Sequence, residues 1–401
     1  MEKQSSFPPI KIMAEKDTQA EFPLLSIGFR PFFLLASFFA VASMALWSIN
    51  LGGGTSAERY YGGVIWHSHE MIFGYSGAVI AGFLLTAVGN WTGMVTLTGR
   101  LLAAFSLLWL LGRLPTLIPS IFPDAFIFIV DISFFPLLAI VIAPLIIKAN
   151  KQKSLAFVVL LLVMTVSNLA IHLESLGITE TGAMVGIKIA LGAIITMIVL
   201  IAGRVFPFFT ERALQDVEPV RRPTLDILCT LLVAGLFLFD SFWPHSKTAG
   251  IVAFALAILN SVRLAGWYSA GVAKVPMLWI LYLGYLWIIL GLIFMGLSSF
   301  SLVPGYIATH AFTIGGIGVV TLGMMARVSL GHTGRIIVAA KPTIIAFALI
   351  NMAAVVRVIL PLLIPEQTLV WIQLSSGLWM GAFGLFLYVY YPILIAPRSS
   401  G

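Results

Sequence analysis

With 401 residues, 60% of them hydrophobic and only 10% charged, and a mean hydropathy of +1.04, the chain is not a soluble globular protein, in which about a quarter of residues carry charge. The net charge is +7, and the single cysteine, Cys229, excludes thiolate clusters, iron–sulfur centres and disulfides built from this chain alone.

Twelve windows reach the roughly 20 apolar residues that a helix needs to cross the hydrocarbon core. They run 30–51, 69–90, 101–120, 125–147, 154–173, 184–206, 224–243, 248–266, 276–298, 304–327, 342–364 and 368–396. The fold class they predict is all-α, a polytopic membrane protein with 12 transmembrane helices. A cytoplasmic N-terminal segment, 1–29, precedes a transmembrane domain, 30–396, and a cytoplasmic tail, 397–401, follows it. Lysine and arginine set the orientation, because they accumulate on the cytoplasmic side of short loops. With the N-terminus inside, 18 of the 23 fall inside and only Arg59, Lys188 and Lys247 outside, while Arg113 and Arg357 lie within spans. Topology therefore accounts for the excess positive charge without a nucleic-acid partner. No removable signal peptide is evident in the polar first 22 residues.

Taken in chain order, five of the six histidines gather at one level of the membrane. His67 and His69 stand at the outer mouth of span 2, followed by Glu70. His172 ends span 5, with Glu174 beside it; His245 lies in the outer loop after span 7; His310 enters span 10 from outside. Only His332 belongs to the cytoplasmic side. Two of these histidines open the same pattern. From His69, glycine falls at Gly74, Gly77 and Gly82, with Thr92-Gly93 beyond; from His310, the same offsets give Gly315, Gly318, Gly323 and Thr333-Gly334. Histidines at the heads of two similarly built helices predict two axial ligands for one flat metal cofactor such as haem. The bland alternative is duplicated helices that hydrogen-bond through their histidines. The glycines read first as packing positions. Glu70 and Glu174 are candidates to orient a ligating imidazole from behind, Glu70 for a histidine on a neighbouring helix. Asp131, Arg113 and Arg357 are buried charges able to pair or to line a polar pathway.

Four segments carry a resemblance to a known family: Gly28–Leu34, Trp66–Gly93, Gly203–Thr210 (GRVFPFFT) and His310–Arg335. There the chain resembles the NnrS family of bacterial membrane proteins. The resemblance implies a twelve-span inner-membrane protein that binds haem, expected as b-type, and copper, and that belongs to nitric oxide metabolism and protection from nitrosative stress, including in denitrifiers. A more distant likeness is to the large subunit of haem–copper oxidases, which holds a low-spin haem on helices 2 and 10. This chain has no adjacent His-His pair after span 6, so proton-pumping oxygen reduction is not expected.

The leading expectation is thus a haem–copper membrane protein acting on nitric oxide or iron–nitrosyl species. His69 and His310 are the expected haem ligands, and His67 and His172 the best candidates for copper or a second haem-side ligand. His332, about 22 residues and hence ~33 Å below His310, belongs to a separate inner metal site or a contact with a redox partner. Two alternatives stand beside it: a secondary transporter, and a haem-binding sensor or assembly factor without turnover. A transporter of two six-span halves would not repeat at an eight-span offset; three arcs of four spans fit the offset better.

Overall fold

The computed structural model of the protein describes residues 22–51, 60–117 and 121–399. Residues 1–21 of the predicted N-terminal segment, Arg59, the end of the window 101–120 and the last two residues of the tail lie outside the described residues.

Every long apolar window forms a helix, and no strand occurs among the described residues. In lipid this is required, because a backbone that meets no water must satisfy its own N–H and C=O groups within the segment. The helices are α1 (Phe29–Leu51), α2 (Gly63–Thr92), α3 (Gly99–Leu117), α4 (Asp124–Lys148), α5 (Leu155–Ser175), α6 (Gly182–Ala213), α7 (Pro223–Phe242), α8 (Lys247–Trp267), α9 (Pro276–Ser299), α10 (Gly305–His332), α11 (Lys341–Leu363) and α12 (Thr368–Ile395). Eleven are long and apolar enough to cross a membrane. The remaining predicted span is α3, whose mean hydropathy is lowered by Arg100 and Arg113. The exterior is apolar, with Leu101, Val166, Leu231 and Ile258 among the exposed side chains, whereas Glu70, His69, Asn168 and Arg113 are buried. This is a membrane protein with its polar groups turned inward.

Helices adjacent in the chain lie side by side, and α12 closes the arrangement against α1. Two devices fasten that closure. Arg30 donates from Nη1 to the carbonyls of Leu394 at 2.8 Å and Ala396 at 2.7 Å, placing a cation at the negative end of α12. Trp379 donates its indole N–H to the Ala40 carbonyl at 3.1 Å. Inside the ring stand α2, α6 and α10, which touch one another; α2 and α10 are the most enclosed of the spans, at 89% and 83% buried. Tyr75 of α2 and Thr321 of α10 share a hydrogen bond of 2.6 Å.

The repeated sequence pattern has a direct structural counterpart. In α2 the backbone changes from α-helix to π-helix at Glu70, one residue after His69, and remains π-helical to Ser76. In α10 the same change begins at Ala311, one residue after His310, and lasts to Gly318. Both copies end on a left-handed glycine, Gly93 at φ 69° and Gly334 at φ 75°. Such wide turns leave i→i+5 bonds and cluster at functional sites. The intervening glycines serve close packing, as expected: a Cβ on Gly74 would meet Phe39 of α1 at 2.5 Å, and one on Gly315 would meet Trp287 of α9 at 2.5 Å. The units α1–α2 and α9–α10 therefore dock alike. Gly315→Val should lower the melting temperature in detergent, by an overpacking cost of about 1–3 kcal/mol. Gly377→Val, where a Cβ meets nothing within 4 Å, should leave it within a degree or two; equal melting of both variants would contradict this packing.

Candidate metal centre and the adjoining cavity

The strongest chemistry lies at the end of the bundle where α2 and α10 begin and α5 ends. Here the side chains of α2, α3, α4 and α5 form a fully buried polar cluster. His69 contacts Asp131 of α4 from Nε2 at 3.1 Å, and His172 of α5 reaches the same carboxylate oxygen, Oδ2, from its Nε2 at 3.0 Å. Asn168, one helical turn before His172, donates its amide to that oxygen at 2.7 Å and sets its own Oδ1 3.0 Å from His69 Nε2. The Tyr61 hydroxyl stands 3.2 Å from the same nitrogen. His69, Asp131 and His172 together offer three donor atoms that all lie within 4.8 Å of one another.

The far sides of both rings are also held. His69 Nδ1 lies 3.1 Å from Glu70 Oε1, and His172 Nδ1 lies 2.8 Å from the Tyr60 hydroxyl. Burial, with the Asp124 carboxylate adding to it, pushes the Tyr60 phenol up; burial, then the neighbouring Tyr60 and Glu70, does the same for Tyr61. Both phenols therefore keep their protons at neutral pH, and each hydroxyl can donate or accept. Arg113 bonds Glu70 Oε2 at 2.8 Å and pairs with Asp131 through its other amino group. His69 faces carboxylate oxygens at both ring nitrogens, although a neutral ring has only one N–H. A proton or a metal cation at Nε2 resolves that mismatch.

The donor set fits a metal ion. Tetrahedral ligands at 2.0–2.1 Å from a first-row ion lie roughly 3.3 Å apart; the two separations to Asp131 are 3.1 and 3.0 Å, and the two imidazole nitrogens lie within 4.8 Å of each other. Imidazole and carboxylate suit iron, copper and zinc alike. A carboxylate behind one ring and a phenol behind the other are the partners that orient metal-bound imidazoles.

Beside this cluster lies a cavity of about 610 Å³ between α1, α2, α6, α7, α9, α10, α11 and α12. His67 and His310 both line it, with Met71, Met295, Tyr75 and Arg357 among the walls. His310 donates Nδ1–H to the Tyr306 carbonyl at 2.7 Å, which leaves the Nε2 lone pair available. His67 stacks on Trp47 with centroids 4.4 Å apart, and its Nδ1 is buried without a hydrogen-bond partner.

The structure thus pairs the histidines differently from the sequence expectation. His69 keeps company with His172, not with His310; His310 faces the same cavity as His67. The reason is helical: residues two apart point roughly 200° away from each other at 3.6 residues per turn, so His67 and His69 address different compartments. Glu70, expected to serve a histidine on a neighbouring helix, binds His69 itself, its side chain reaching back as the π-helical turn opens. Glu174 orients no histidine. Its carboxylate accepts the backbone N–H of Ala183 at 2.7 Å and caps the start of α6. His332, at the opposite end of α10, lies against Phe29 with ring centroids 5.9 Å apart. Sequence reasoning missed Asn168, Tyr60 and Tyr61 as members of the cluster. The i, i+4 spacing of Asn168 and His172 was a readable signal that they share one helix face.

The fold and the cluster define a polytopic helical membrane protein with a buried centre competent to hold a metal. The chain belongs to the NnrS family: the family model described as NnrS protein matches residues 23–398, nearly its whole length. No curated protein matches it.

Proposed function

We propose that this chain is a haem- and copper-binding protein of the bacterial inner membrane that acts in nitric oxide metabolism and protection from nitrosative stress. Copper belongs at His69, Asp131 and His172, and haem in the cavity, held by His310 and His67. One observation carries the reading: His69 and His172 bring both Nε2 atoms to one Asp131 oxygen with each Nδ1 engaged from behind, while His310, its Nδ1 bonded to the Tyr306 carbonyl, lines the adjoining cavity with His67. Family membership supplies the nitric oxide context, and the lysine–arginine bias supports cytoplasmic termini.

The cavity suits a macrocycle in size, since cofactor pockets span about 300–1,000 Å³, and its methionine, tyrosine and tryptophan walls are mostly apolar. When bound, haem would supply an iron able to take nitric oxide and exchange electrons. The chain's own residues set the conditions. Tyr306 fixes the tautomer of His310 and Glu70 that of His69, the Tyr60 hydroxyl oxygen would accept from His172 Nδ1–H when Nε2 holds a cation, and Arg113 pairs with Glu70 and Asp131. Burial excludes water from the His69–Asp131–His172 cluster.

A deletion strain exposed to nitric oxide should accumulate more iron–nitrosyl signal in electron paramagnetic resonance than wild type, and a plasmid copy of the gene should reverse it. Equal signal in both strains, with solute uptake by proteoliposomes of metal-free protein, would favour the transporter reading instead.

A further inference from the structure

Arg357 on α11 is the one charged wall of the cavity that none of the described acidic residues balances. It is 9% exposed, its Nη1 is buried without a hydrogen-bond acceptor, and no described carboxylate forms an ion pair with it. Its visible contact is the ring of Tyr306, 5.3 Å from the guanidinium carbon. The other cation in the wall, Lys188, is already matched by Asp240 at 3.1 Å, and Arg113 in the neighbouring cluster is matched by two carboxylates. An unmatched guanidinium at membrane depth is costly, and charges there ordinarily pair or mark a ligand path. Arg357 also stands near enough to His67 and His310 to act electrostatically on both.

We propose that Arg357 makes this cavity an anion-accepting site, in which the occupant presents a carboxylate or a small planar oxyanion to the guanidinium on the wall that also holds His67 and His310. Where the anion is a carboxylate of a ring cofactor, the proposal rests on the haem reading above; where it is a free oxyanion, it does not. Arginine rather than lysine suits the task, because its planar fork matches two oxygens at once.

The full chain, purified from haem-deficient cells, can be tested with two probes: protoporphyrin IX against its dimethyl ester, followed by tryptophan quenching, and sodium nitrite, followed by thermal shift. If the source is a ring carboxylate, wild type should bind the free acid at least tenfold more tightly than the ester. That preference should vanish in Arg357→Gln and return in part in Arg357→Lys. If the source is a free oxyanion, nitrite should raise the melting temperature of wild type and not of Arg357→Gln, with acid and ester bound equally. Nitrite binding without porphyrin binding would remove the haem reading and leave the anion site standing. Wild type that binds acid and ester equally and gains nothing from nitrite overturns the proposal, whatever the variants do.

Discussion

Replacing Asp131 with alanine is expected to strip the buried centre of its metal and to destabilise the bundle together. Both Nε2 atoms converge on this one carboxylate, so its loss removes a ligand and the group that holds two others in register. Loss even of a residue behind a ligand lowers metal affinity by about 10–100-fold, and loss of a ligand should exceed that. The same change removes one carboxylate partner of Arg113, and breaking a buried ion pair costs about 3–5 kcal/mol. Metal analysis of purified protein and a detergent melt measure the two effects separately. Asp131→Asn keeps the shape and the amide contact to neighbouring donors but removes the charge; it should melt closer to wild type and still lose most of its metal. Full metal content in Asp131→Ala would mean that the ion is held elsewhere.

The second large effect concerns His310. Its replacement by alanine should abolish the haem Soret band while leaving the buried cluster's metal in place. The two sites share no side chain, and His310 contributes to the cavity alone. His310→Gly should lose the band equally and recover much of it in millimolar imidazole, since the cavity would then admit a free ring where Nε2 had stood. Tyr306 gives an internal control: its carbonyl, not its side chain, accepts from His310 Nδ1, so Tyr306→Phe should keep the band. An unaltered spectrum in His310→Ala would remove the cavity from the account.

Much of this arrangement can be read from residues, and the part that cannot has a physical cause. The apolar windows yield the helices because length and hydropathy decide them locally. The offsets from His69 and His310 to their glycines mark a real duplication, visible as two π-helical segments that begin at corresponding residues. The pairing of histidines is another matter. Equivalent positions in a repeat need not share a ligand, because each copy docks on its own neighbours: α2 meets α4 and the polar face of α5, whereas α10 meets α9, α11 and the cavity. The partners of His69 come from sequence positions 62 and 99 residues away, a separation that no local pattern encodes. What could have been seen is the divergence of His67 from His69, since two residues on a helix face nearly opposite ways. Glu174 illustrates the reverse error, in which proximity in sequence to a histidine says little when a helix N-terminus lies closer in space.

The division of four imidazoles into two couples, one per compartment, is tested most directly by metal analysis and an optical spectrum on the single alanine variants of His67, His69, His172 and His310. Variants at 69 and 172 should lose copper and keep the haem absorption; variants at 67 and 310 should do the reverse. Loss of the same cofactor from the variants at 69 and 310 would contradict that division.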